Sequence, residues 1–139
     1  MTVDSIRNGI VIDHIENGKA MKIYQIMHLE KLDCPVAILE NVVSKKQGKK
    51  DILKVDGHIP FNLDVVGLVS PDATINIVRD GKVVKKVKPE LPTRIDGILT
   101  CKNPRCITSV EQGIEQAFRL ADKEKREYRC VYCDTKYSG

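Results

Sequence analysis

Residues 74–87 read TINIVRDGKVVKKV, and this stretch decides how the first part of the chain folds. Apolar and polar residues alternate from Thr74 to Arg79 in the period of a strand. Asp80-Gly81 is a two-residue hairpin turn, and Lys82–Val87 supplies the returning strand. Immediately upstream, Phe61–Val69 (FNLDVVGLV) fits a helix or a strand by periodicity, and Asn62 as an N-cap favours the helix. Before it, Pro35–Val43 (PVAILENVV) and Lys50–Val55 (KDILKV) read as strands joined by SKKQGK as a long hairpin tip. At the start, Ile10–Ile15 (IVIDHI) is β-branched and strand-like, and Asn17-Gly18 turns the chain. Ala20, Ile23, Tyr24, Ile26 and Met27 then follow with helical spacing. The order is βαββαβ plus one strand, an α+β arrangement of the ferredoxin-like kind.

Downstream, Pro89 and Pro92 in KPELPTRIDG interrupt regular structure and mark a boundary, giving domains over 1–92 and 93–139. Beyond it the chain is organised by Cys101-KNPR-Cys106 and, 23 residues later, Cys130-VY-Cys133. Two close pairs joined by a loop suit tetrahedral zinc, because each pair wraps one side of the ion. Disulfides are disfavoured by the lack of a secretory leader, and a redox CxxC leaves the other pair unexplained. Four thiolates fill the shell, so the expected Zn2+ is structural, one per chain, and its removal unfolds residues 101–139 in a small β-rich zinc-ribbon-like domain. Between the pairs, Ile114, Ala117, Phe118 and Ala121 have helical spacing within Val110–Arg126. Tyr128, Tyr132 and Tyr137 read as core of the small domain or as stacking groups for bases. Cys34 reads as a small buried apolar residue.

The chain has 139 residues with 42% hydrophobic and 30% charged, enough for one modest core and an appendix and too little for a large multidomain enzyme. It shows neither a membrane-length apolar run nor a signal peptide, and is read as cytoplasmic. The net charge of +4 is mild. Its distribution is uneven: residues 45–54 and 79–88 each carry a net +4, leaving −4 for the remainder. Two readings stand, an anion site where the segments meet, or lysines that protect strand edges from aggregation. If the strands are neighbours, Lys50, Lys54 and Lys86 face one space and Asn76 is placed to hydrogen-bond a ligand. His14, His28 and His58 have no metal or triad spacing. With no Walker A loop, GxGxxG or HExxH, catalysis has no visible carriers.

VDSIRNGIVIDHI (3–15), GKKDILKV (48–55), SPDATINIV (70–78), PELPTRIDGILTC (89–101) and CxxxxC…CxxC together closely resemble the regulatory chain of aspartate carbamoyltransferase, in the same order along nearly the whole chain. The run IDGILTCKNPRC followed by CVYC is the most specific part. The resemblance implies a non-catalytic subunit of pyrimidine biosynthesis with a ferredoxin-like nucleotide-binding domain and a zinc domain that docks on the catalytic chain. It also implies homodimers of regulatory chains that bridge catalytic trimers, and CTP, ATP or UTP as effectors. The family's effector positions fall on Val3, Asp4, Ile6, Asp13, His14, Lys50, Lys54, Asn76, Val78, Val83 and Lys86. Lys86 would bind phosphate, Lys50 and Lys54 phosphate or ribose, and Asp13 a ribose hydroxyl, while the backbone around Ile6 and Asn76 would read the base edge. The zinc ligands carry over as Cys101, Cys106, Cys130 and Cys133. The N-terminal arm is short, Asp4 stands where some members have Glu, and the tail stops at Gly139. Neither nucleic acid nor membrane is an expected partner on this reading. The alternative is a zinc-ribbon nucleic-acid-binding module, whose affinity would fall steeply with salt.

Overall fold

The computed structural model describes residues 6–45, 47–57 and 62–137, so Val3, Asp4 and His58 lie outside the described residues. The chain divides into two units, 1–90 and 91–139. In the first, β1 (Gly9–Glu16), α1 (Ala20–Ile26), a 3-10 turn (Leu29–Lys31), β2 (Val36–Ser44), β3 (Gly48–Val55), α2 (Leu63–Val69), β4 (Thr74–Arg79) and β5 (Lys82–Val87) follow in order. All neighbours in the sheet β2-β3-β1-β4-β5 are antiparallel. This is the ferredoxin-like order with β5 appended outside β4.

The central place of β1 follows from its residues, since Ile10, Val11 and Ile12 are buried on alternating faces of the sheet. Ile10, Ile12 and Ile15 join Leu53, Val55 and Ile75 under Ala20 and Ile23 of α1 and Val66 and Val69 of α2. The opposite face carries a smaller cluster, Ile6, Val11 and Val78, with Ile52 against it. Asn62 caps α2 as the sequence predicts, its side-chain oxygen accepting from the Asp64 N–H at 2.9 Å. Asp80 and Gly81 turn with φ of 53° and 76°, the left-handed geometry that the twist of a hairpin demands. The expected long tip at SKKQGK is shorter in the structure, because Ser44 already pairs with Gly48 and the ladder absorbs both flanks. Cys34 is half-buried against the core.

Three register shifts interrupt the ladders of this sheet, one of them between β4 and β5 at Ile77 and Val78 and the other two beside β3. Asp13 and His14 together oppose Ile52 alone, and Glu40 and Asn41 together oppose Asp51 alone. His14 and Asn41 take φ of 57° and 61°. The first bulge lets Ile12 and Ile15 both enter the core, which strict alternation forbids at a spacing of three.

In the second unit β6 (Arg94–Asp96), β7 (Ala117–Asp122) and β8 (Glu127–Cys130) form an antiparallel sheet in sequence order, with a single helical turn α3 (Ile107–Val110). Ile95, Leu99, Phe118 and Tyr128 are buried, and Tyr137 meets Phe118 edge-on at 5.7 Å between ring centres. The helical spacing read in Val110–Arg126 is overturned. Gly113 has φ 85°, and Phe118 through Leu120 alternate in burial as the β7 half of a hairpin. The reason is non-local: the segment leaves one cysteine pair and returns to the other, and a hairpin makes that return within 23 residues. A short strand, β6, also forms in the proline-flanked stretch that reads as irregular. Its Pro92 carbonyl accepts the Tyr128 hydroxyl.

Candidate functional site

Cys101 follows the loop after β6, Cys106 sits at the N-cap of α3, Cys130 ends β8 and Cys133 lies in the next turn. The turn before α3 is built by Asn103, whose carbonyl accepts from Cys106 N–H at 3.0 Å and Ser109 Oγ at 2.8 Å. The second is closed by Asp134 N–H donating to the Cys130 carbonyl at 2.9 Å, with Asp134 at φ 63°. All four Sγ atoms lie within 4.8 Å of one another. Cys101 Sγ stands 3.6 Å from Cys133 Sγ, and Cys106 Sγ 3.7 Å from Cys130 Sγ. Disulfides are excluded at these separations. A tetrahedron with zinc–sulfur bonds of about 2.3 Å has edges of about 3.8 Å, so the four thiols fit the ion. When bound, zinc supplies a cross-link among four chain segments and keeps no open coordination position.

The environment treats the four thiols unequally. Burial pushes the Cys101 thiol up to about 12 and raises Cys130 as well. Cys133 is drawn down to about 6, chiefly by the hydrogen bond with Thr135, whose hydroxyl is 3.1 Å away. The Thr108 hydroxyl, donating at 3.1 Å, lowers Cys106. A thiol must lose its proton to ligate, and a cysteine thiol is ordinarily protonated at neutral pH, so zinc expels protons as it binds. Zinc affinity is therefore expected to fall as pH falls, with proton release in weakly buffered titrations. A proton count of zero at pH 7 contradicts this.

The first unit presents the second site on the sheet face opposite α1 and α2. Asn76 pairs with Val11 on one side and Lys86 on the other, and Val78 with Val83. On β3, Lys50, Ile52 and Lys54 alternate with the core-facing Asp51, Leu53 and Val55. The register thus brings Lys50, Lys54, Asn76, Val78, Val83 and Lys86 to one face, over Ile6 and Val11. Lys50 Nζ is 2.9 Å from Asp13 Oδ1. The Asn76 amide nitrogen donates to the Val11 carbonyl at 3.4 Å. Among the described residues, its oxygen and His14 Nδ1 are buried without hydrogen-bond partners. Buried polar atoms are ordinarily satisfied, so each of the two is open to a partner from outside the described residues. His28 lies instead at the surface, beside Glu30.

A family profile described as "Aspartate carbamoyltransferase regulatory chain, allosteric domain" matches residues 1–90, and one for the metal binding domain of the same chain matches residues 93–139. The chain belongs to the aspartate carbamoyltransferase regulatory chain family. Named members from three bacteria agree along almost its whole length. That of Clostridium acetobutylicum is 45% identical over 139 residues, all of this chain and 95% of the relative. The Clostridium tetani protein is 47% identical over 138 residues, covering 99% and 96%. The Bifidobacterium longum protein is 44% identical over 134 residues, covering 96% of each.

In this regulatory chain the ferredoxin-like unit coincides with the allosteric profile and the four-cysteine unit with the metal-binding one. The family is non-catalytic, and the four thiols accord with one structural zinc. Sequence reasoning missed Asp51, Thr108 and Thr135. The signal for Asp51 is its parity: in KDILKV it shares a face with Leu53 and Val55, where a carboxylate is out of place unless donors surround it.

Proposed function

We propose that this regulatory chain binds nucleoside triphosphate effectors, CTP and ATP foremost and UTP as a further candidate, on the open face of its N-terminal sheet. The observation that carries the reading is the register that gathers Lys50, Lys54 and Lys86 around Asn76, whose buried Oδ1 has no hydrogen-bond partner among the described residues. Lys86 and Lys54 take phosphate oxygens, Lys50 phosphate or ribose, and Asp13 a ribose hydroxyl. Ile6, Val78 and Val83 wall the base, whose edge is read by the backbone near Ile6 and Asn76. Val3 and Asp4 complete the site from the N-terminal side. The functional division runs over 1–92 for effectors and 93–139 for docking on the catalytic chain. Homodimers of the nucleotide unit bridge catalytic trimers. A reducing cytoplasm suits five cysteines that all stand as free thiols. Among the described residues no helix is long and apolar enough to cross a membrane.

Effectors bias activity only by binding two quaternary states unequally, so substrate bound to the catalytic chain must alter effector affinity by the same factor. The test is calorimetric titration of CTP into the zinc-loaded chain and its Lys86→Ala variant. Loss of a charge-assisted phosphate contact worth about 1.5–3 kcal/mol predicts roughly ten- to hundredfold weaker binding. No saturable binding, or equal affinity in both proteins, overturns the reading. The nucleic-acid alternative gains nothing from the family match, which covers both units.

A further inference from the structure

Asp51 is wholly buried, and among the described residues no ammonium or guanidinium pairs with its carboxylate. Four donors surround it instead. Oδ1 accepts from Asn17 Nδ2 at 3.1 Å and from the Asn41 N–H at 3.2 Å. Oδ2 accepts from the Gly18 N–H at 2.8 Å and the Ala20 N–H at 3.3 Å. Asn17 Nδ2 also donates to Asn41 Oδ1 at 2.8 Å, joining the two flanking segments directly. A buried carboxylate is costly unless its lone pairs are filled, and here they are filled by the turn after β1, the first residue of α1 and the bulge of β2.

This knot lies directly behind the open face. Asp51 pairs with Ile15, the residue at which β1 resumes its register after the bulge. Inside that bulge a single oxygen, Asp13 Oδ1, accepts from the His14 N–H at 2.6 Å and faces Lys50 Nζ at 2.9 Å. The orientation of Asp13, and with it the place of the Lys50 ammonium, is thus set by the backbone of the bulge.

We propose that Asp51 is a positioning residue of the effector site: by anchoring the chain on both sides of β3 it holds the bulge that delivers Asp13 and His14 beside Lys50. The inference rests on the nucleotide reading above and adds a group that touches no nucleotide. Asn at this position keeps the shape, but replaces one oxygen by an NH2. Each oxygen accepts two donors, so two N–H groups then face a donor in either orientation.

The test is a double-mutant cycle of CTP affinity on the zinc-loaded chain, using Asp51→Asn, Lys50→Met and the pair. Asp51→Asn is expected to weaken CTP about tenfold in the native background and less than about twofold beside Lys50→Met, because its effect passes through Asp13 and Lys50. If the native chain binds no CTP, the nucleotide reading fails and this proposal with it. Native binding with Asp51→Asn unchanged overturns the proposal alone. Equal weakening in both backgrounds also overturns it, showing general destabilisation. Should Asp51→Asn not fold, Asn17→Ala removes one of the four donors. It is expected to cost about threefold in the native background and nothing beside Lys50→Met, and any other pattern overturns the assignment.

Discussion

Serine in place of Cys106 is expected to unfold residues 91–139 while leaving the N-terminal sheet folded. The second unit has few large buried apolar side chains, Ile95, Leu99, Phe118 and Tyr128 among them, and its described regular structure is three short strands and one helical turn. A domain of this size does not stand on burial alone, and structural zinc supplies about 10–16 kcal/mol in comparable peptides. Cys106 is 1% exposed and faces Cys130 across the site. Its loss strips a ligand from the junction between the Asn103 turn and α3. Region-resolved amide exchange, on the variant and on the native chain with chelator, reads the result. Exchange in β7 and β8 should become that of an open chain, while β1, β3 and β4 stay protected. Protected amides in β7 and β8 after complete zinc removal contradict the metal's role.

Alanine at Gly9 is expected to destabilise the other unit by about 3 kcal/mol or more. A Cβ there would lie 1.9 Å from the Val55 carbonyl oxygen and 3.0 Å from the Gly57 nitrogen. Both are backbone atoms, so no side chain can swing aside. Relief requires β1 and β3, two inner strands of the sheet, to part at the end of their ladder where Ile10 pairs with Val55. The denaturation midpoint of the N-terminal unit measures the effect, and the zinc unit serves as an internal control. A change below about 0.5 kcal/mol would show that the ladder yields more easily than its burial implies.

What could be read in advance followed the range of the interactions involved. The limits of β4 and β5 were legible to the residue, because alternation and the Asp80-Gly81 turn are local. The four cysteines were equally plain, since ligand chemistry restricts their spacing. Residues 110–126 misled because Ile114, Ala117, Phe118 and Ala121 satisfy a helical period. The conformation there is settled by bringing Cys130 back to Cys106, and no window of that sequence contains the demand. The lysines of the open face were visible as charge, but their convergence depends on the order β3-β1-β4-β5, which came from counting elements. Asp51 stayed hidden because its four donors come from residues 17, 18, 20 and 41, on segments that only the folded sheet assembles.

The bulge in β1 has a further meaning for how such a chain can be edited. His14 is the residue the ladder skips. A chain shortened by that one position would pair Asp13 with Ile52 and Ile15 with Asp51 without a break, and would keep Ile12 and Ile15 on the core face. The strand is therefore complete with one residue fewer, and the extra one pairs in neither ladder. Deleting His14 would remove the bulge while leaving the sheet its full hydrophobic pattern, so the bulge and the packing of the sheet are separable here by a change in chain length.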